Sequence, residues 1–300
     1  MFRNALAILV AYRSMTMLGV GSDKLVVAFP GIFILPFFLF SATAGQLSDR
    51  LVKAYMIRGV KVAEVGIMSL AGVGFAIGSL PVLVGVLFLM GLQSTFFGPA
   101  KYSILPDLLD DSSLVGGNAL VETGTFLAIL LGTICAGVLA DVNESWTSYV
   151  GLVVVAVAMT GLVASLFIRR TPPASPDLKV DFSAIRPTRK ILRVATANRT
   201  VKLTILGLSW FWFLGAAFLA LLPNFTKDVL GGDKPVLTMF LAVFCVGIGV
   251  GSLLCERLSH RRLELGLVPL GSIGISLFAV DLGIASGRYL GLPGAAELLR

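Results

Sequence analysis

Charge is scarce in this chain. Asp, Glu, Lys and Arg together make up 14% of its 300 residues, against a hydrophobic share of 56%. A soluble domain carries roughly 25% charged residues, because its surface must be hydrated. The scarcity is also uneven. No charged residue stands between Lys24 and Asp49, between Glu64 and Lys101, between Glu144 and Arg169, or between Lys202 and Lys227. Several such runs in one chain exclude a water-soluble fold. A bilayer demands them, since an apolar helix of about 20 residues crosses its hydrocarbon core.

Histidine and cysteine are scarce too. Cys135, Cys245 and Cys255 lie in apolar runs or at their ends, at a spacing that fits no metal site, and read as structural thiols. The one histidine, His260, is followed by Arg261, Arg262, Leu263, Glu264 and Leu265. A glycerolipid acyltransferase needs an Asp five positions after its His, and Leu265 stands there. The chain has no phosphate-cradling Gly-rich loop ending in Lys-Ser or Lys-Thr, no His-Glu-x-x-His and no Gly-x-Ser-x-Gly. His260 reads as a loop residue. No catalytic residue, metal ligand or cofactor is assigned, and an enzyme is not the reading.

What the chain does have is long apolar segments and glycine, 33 residues of it, which lets helices pack closely in lipid. Nine hydrophobic segments are legible: 2–12, 25–47, 62–78, 80–97, 120–140, 146–168, 203–223, 235–255 and 265–284. The first is too short to span comfortably. The gaps between segments can be tested for sidedness. Those after the even-numbered segments hold sixteen Lys and Arg, and those after the odd-numbered ones hold five. An excess of Lys and Arg marks the cytoplasmic side. The net charge of +7 therefore reflects loop bias rather than a nucleic-acid surface.

The longest gap, 169–200, carries eight basic residues together with Pro172, Pro173, Pro176 and Pro187. It reads as a cytoplasmic linker between an N-terminal bundle, 1–168, and a partial C-terminal bundle, 201–300, with room for a short amphipathic helix over 185–194. Either a solvated positive-inside loop or a surface for anionic lipid heads fits that charge. Two gaps echo one another. Gly45, Asp49 and Arg50, followed by Arg58 and Lys61, are answered by Gly251, Glu256 and Arg257, followed by Arg261 and Arg262. Each acid–Arg pair sits at the end of an even-numbered segment. Paired halves joined by a basic linker suggest a transporter built from structural repeats.

The stretch from Gly45 through Leu47 to Asp49 and Arg50 resembles the signature loop of the major facilitator superfamily. In that family the Asp and Arg latch helix ends during switching. The resemblance implies the same for Gly45, Asp49 and Arg50, and for Glu256 and Arg257 in the second copy. A more specific likeness follows the fourth segment. Pro99, Ala100, Lys101, Tyr102, Ile104 and Leu105 are similar to a stretch of the lysophospholipid transporter branch of that superfamily. Gly117, Asn118, Glu122, Gly132, Trp210, Phe211 and Trp212 agree with it. The closest likeness is to the transporter part of proteins fused to acyltransferase and acyl-ACP synthetase domains. The family has twelve helices and a polar stretch early in its first. This chain begins just after that stretch and ends where a tenth helix should start, so the expectation is a version shortened at both ends.

The fold expected is an all-α, polytopic membrane helix bundle of the major facilitator type, with about nine of twelve segments. It would sit in a bacterial inner (plasma) membrane with the 169–200 loop cytoplasmic. The resemblance implies a lysophospholipid substrate, membrane lipids as surroundings, and an acyltransferase or acyl-ACP synthetase as a partner. Transport of another small molecule, a non-transporting membrane scaffold and an inactive truncated product remain open alternatives. Glu122, an acid inside a span, either pairs with Lys101 or Arg3 or lines the path and meets an amine or a proton. Lys101 either snorkels to the interface or reaches a lipid phosphate. Asn118 shares the helix of Glu122. Arg3 faces the bundle or a helix end. Trp210 and Trp212, with Phe211, either pack or form an apolar wall for a lipid tail.

Overall fold

The computed structural model describes residues 1–12, 15–17, 19–140, 146–183, 185–232, 234–259, 264 and 266–290. Arg13, His260, Arg261, Arg262 and the tail at 291–300 lie outside the described residues. In chain order the helices are α1 (Phe2–Tyr12), α2 (Ser22–Arg50), α3 (Lys53–Ala76), α4 (Leu80–Ser103) and the single turn α5 (Leu105–Leu108). They continue with α6 (Leu114–Ala140), α7 (Trp146–Leu166), α8 (Arg186–Ala197), α9 (Arg199–Asn224), α10 (Lys234–Leu258) and α11 (Leu267–Leu290). Among the described residues, eight helices are long and apolar enough to cross a membrane. With the eleven-residue α1 they account for all nine hydrophobic segments. The chain is an all-α, multi-pass membrane protein.

Local chemistry sets several boundaries. Gly78 takes φ +63° between α3 and α4, a left-handed conformation that glycine adopts at little cost and that closes a tight antiparallel turn. Asn198 caps α9, its side-chain oxygen accepting from the backbone N–H of Thr200 at 2.9 Å, which separates α9 from α8 by one residue. Leu51 is extended and ends α2, so the acid–Arg pair expected in a gap stands instead on the last helical turn. The gap itself shrinks to Leu51 and Val52. Lys53, Arg58 and Lys61, expected in that gap, belong to the first turns of α3. The helix in the linker, α8, covers Arg186–Ala197 rather than 185–194.

The chain divides into two compact units, Met1–Asp110 with Leu131–Val194, and Asp111–Leu130 with Ala195–Arg300. The first unit has an apolar core. α1 contributes a stripe of Phe2, Ala5, Leu6, Leu9 and Val10, the three-and-four spacing of one helix face. Against it lie Phe29 of α2, Phe75 of α3, Leu83 and Leu87 of α4, and Val150 and Val154 of α7. Phe2 meets Phe75 edge-on at 5.8 Å between ring centroids. Glycine lets backbones touch. At Gly91 of α4 a Cβ would overlap the Phe33 carbonyl oxygen of α2, and at Gly151 of α7 it would lie 2.9 Å from the Gly72 Cα of α3. In lipid, van der Waals contact of this kind, rather than water exclusion, holds helices together.

In the second unit, α6 and α10 pack antiparallel. The Thr123 hydroxyl donates to the Gly249 carbonyl at 3.4 Å, and a Cβ at Gly116 would lie 2.7 Å from Glu256 Cδ. α9 and α11 show apolar side chains along their length, Phe213 and Phe278 among them, as helices facing hydrocarbon do.

Candidate functional site

At the basic end of the first unit, a polar network ties helix ends together. Lys53, with only 5% of its side chain exposed, donates from Nζ to Asp107 Oδ2 at 2.6 Å and to the Ser103 carbonyl at 2.8 Å. Asp107 Oδ2 also accepts from the Thr171 hydroxyl at 3.2 Å. The Ser48 and Ser103 hydroxyls lie 3.0 Å apart, joining α2 to α4. Arg58 donates to the carbonyls of Ser165, Leu166 and Ile168 at 2.9–3.3 Å, so one cation satisfies the open C-terminus of α7. The guanidiniums of Arg58 and Arg170 stand 5.8 and 5.1 Å from the Tyr55 ring centroid.

The same end binds the first half of the linker. The Ser175 N–H donates to the Asp49 carbonyl at 2.8 Å and the Asp181 N–H to Gln46 Oε1 at 2.9 Å. Asp181 in turn accepts at Oδ1 from the Ser183 N–H at 2.9 Å. The Ser183 backbone N–H and hydroxyl, together with the charge of Arg186, hold its carboxyl below the usual carboxylate range despite some desolvation. The segment is thus a strap laid on α2. Its anchor is the Asp49 main chain, while the Asp49 and Arg50 side chains are exposed. Gly45 has open space where a Cβ would stand, so its place in the motif does not rest on a close helix crossing within this unit.

A second polar group lies deeper. Lys61 Nζ is 2.7 Å from Glu64 Oε2, and Gln93 Nε2 of α4 donates to the same oxygen at 3.1 Å. Lys61 also stands 4.7 Å from the Phe97 ring centroid. Glu64 is the twelfth of the 24 residues of α3, and Gln93 the fourteenth of 24 in α4. A charge at that depth is costly alone and tolerable when paired. The i,i+3 spacing of Lys61 and Glu64 was the signal available in the sequence. The segment bounds divide the pair, since Lys61 falls in the gap and Glu64 inside the segment 62–78.

The expected site residues fall in both units. In the first, Asn4 donates from Nδ2 to the Thr133 hydroxyl at 2.8 Å, and its neighbour Arg3 is exposed. Lys101 sits in the last turn of α4 with Nζ 4.4 Å from the Tyr102 ring centroid. In the second, Glu122 is half-buried on α6, beside the Thr123 that meets α10. Asn118 turns back on its own helix, donating to the Leu114 carbonyl at 2.9 Å. Glu256 packs on Gly116, two residues before Asn118, and Arg257 is exposed. Trp210 and Trp212 are both more than half exposed, Trp210 lying 5.7 Å from Phe213 and Trp212 6.0 Å from Phe211. The structure therefore brings Glu256 to the start of α6 and leaves the aromatic cluster on an open face. Lys53, Asp107, Lys61, Glu64 and Gln93 are the residues that sequence reasoning missed.

The chain has recognisable relatives. The family description Major Facilitator Superfamily matches residues 4–292. The lysophospholipid transporter LplT of Salmonella gallinarum is 32% identical over 271 residues, covering 89% of this chain and 64% of that protein. The protein of the same name from Escherichia coli O1:K1 is 32% identical over 273 residues, covering 89% of this chain and 65% of its own length. That from Salmonella newport is also 32% identical over 273 residues. The chain spans just under two thirds of the length of these relatives.

Proposed function

The chain belongs to the Major Facilitator Superfamily, and from that premise we propose that it moves a lysophospholipid from the outer to the inner leaflet of a bacterial inner membrane. The observation that carries this reading is the 32% identity to proteins named lysophospholipid transporter, sustained over 89% of the chain. The mechanism is alternating access, in which two halves of a repeat-built transporter take turns exposing a midplane site. Gly45, Asp49 and Arg50, with Glu256 and Arg257, act at the switching ends. The strap bonded to the Asp49 carbonyl and the contact of Glu256 with Gly116 support that role, since both tie motif residues to elements that switching must move.

Glu122 is the carboxylate for the ammonium of an ethanolamine head group. An acid on a membrane-crossing helix, half-buried, suits a cation better than it suits lipid. Trp210 and Trp212 present an apolar wall to the single acyl tail. Lys101, resting on Tyr102 at a helix end, anchors α4 at the interface. The loop 169–200 faces the cytoplasm. No covalent chemistry is assigned to this chain; an acyltransferase or acyl-ACP synthetase would re-acylate the delivered lysolipid.

The test is reconstitution. Vesicles containing the purified chain and fluorescent lysophosphatidylethanolamine in the outer leaflet are followed by extraction with albumin. The expected result is progressive protection of the lipid from extraction, slowed about tenfold or more in Glu122→Gln at equal incorporation. Protection no faster than in protein-free vesicles overturns the proposal. Equal rates in Glu122→Gln and the parent remove Glu122 from the path.

A further inference from the structure

We propose that α8 is a membrane-surface helix that docks on anionic phospholipid of the cytoplasmic leaflet. At about 100° per residue, Arg186, Arg189, Lys190 and Arg193 fall within an arc of about 100°. Pro187, Ile191, Leu192, Val194 and Ala195, with Thr188 among them, fill an arc on the other side. The four cations, together with Ser183, Ile185 and Val194, line one open groove of about 740 Å³. On the apolar side Pro187 is buried, while Ile191, Leu192 and Val194 are 48, 51 and 69% exposed, and Ile185 just before the helix is 78% exposed.

Length rules out a span. Twelve residues make a rod about 18 Å long, short of the hydrocarbon thickness. A short helix with one strongly cationic face and one apolar face lies in the interface plane, apolar side toward the acyl chains and cations among the phosphates. The placement fits. α8 follows the strap bonded to the end of α2 and to Asp107 of α5, and after Asn198 the chain continues into α9, long and apolar enough to cross a membrane, so both flanks of α8 in the sequence are tied to membrane-crossing elements. Charge complementarity selects the occupant: four clustered cations beside the solvent-exposed apolar side chains of Ile185, Ile191 and Val194 match an anionic lipid surface, where polybasic segments concentrate. This inference stands apart from the transport reading and needs no substrate.

The experiment uses the full chain with Cys135, Cys245 and Cys255 replaced by serine and a polarity-sensitive fluorophore on Ile191→Cys. It is reconstituted in vesicles of phosphatidylcholine alone or of phosphatidylcholine with phosphatidylglycerol. Expected is a blue-shifted emission, quenched by lipids brominated near the head group, in the phosphatidylglycerol vesicles. High salt and the R186Q/R189Q/K190Q/R193Q variant should each reverse it. The conservative R189K variant should keep the shift, which separates charge from misfolding. An emission that is the same in both vesicle types, or unchanged in the quadruple variant, overturns the proposal. A reporter that stays in water in every vesicle and moves only when a protein is added would assign the face to a protein partner instead.

Discussion

Lys61 and Glu64 stand one helical turn apart on α3, their charged atoms 2.7 Å from one another, with Gln93 of α4 completing the group at 3.1 Å. Neither side chain is more than a fifth exposed. The pair neutralises itself on its own helix, and Gln93 fixes α4 beside it. That explains how α3 carries both charges on a largely buried part of its surface.

Removing one member should therefore hurt more than removing both. Glu64→Ala leaves the mostly buried Lys61 ammonium without its carboxylate and should destabilise the protein by about 1–3 kcal/mol. Lys61→Met combined with Glu64→Leu should recover most of that loss. Denaturant titration in detergent micelles measures both. A double variant less stable than Glu64→Ala would show that the pair contributes more than mutual neutralisation.

The α3–α7 crossing should respond asymmetrically to an added methyl. A Cβ at Gly72 meets Gly151 at 3.7 Å, ordinary contact, whereas a Cβ at Gly151 lies 2.9 Å from the Gly72 backbone. Gly151→Ala should cost about 1–3 kcal/mol and Gly72→Ala about 0.5 kcal/mol or less. Gly91→Ala, which drives a methyl into the Phe33 carbonyl of α2, should be at least as costly as Gly151→Ala. Melting temperatures of the three variants in one detergent rank them.

At the basic end, Asp107→Ala should exceed Lys53→Met in cost. The first leaves the nearly buried Lys53 ammonium with only the Ser103 carbonyl, a loss of about 3 kcal/mol, while the second leaves a carboxylate 31% exposed to solvent. If the network also restrains switching, both variants should alter the rate of lysolipid protection at matched incorporation. Unchanged rates would leave the network a purely structural tie.

Threading is testable with single cysteines in the cysteine-free background. Val180→Cys, on the strap, should react only with reagent on the cytoplasmic side, and Leu230→Cys, after α9, only from the opposite side. Labelling of both from one compartment would contradict the sidedness drawn from Lys and Arg.

Much of the architecture is legible in the sequence. Charge-free runs such as 203–226 mark lipid-crossing helices because nothing else hides so much apolar surface. The stretch from Pro99 to Leu105 pointed to the family that the relatives confirm. The helix ends were less legible. Lys53, Arg58 and Lys61 read as loop because hydropathy reports the environment of a residue, not its backbone. All three are helical in α3, where Asp107, the carbonyls ending α7, and Glu64 answer their charges.

The sequence by itself determined a membrane bundle, its segments and its family, because partitioning into lipid is decided residue by residue. Only the tertiary structure decided which charges inside or beside the membrane are neutralised. It is there that Lys53 reaches Asp107, that Gln93 reaches Glu64, and that Gly91 admits the Phe33 carbonyl. Such pairings join residues 29 to 58 positions apart along the chain, and only the packing of one helix on another brings them within contact.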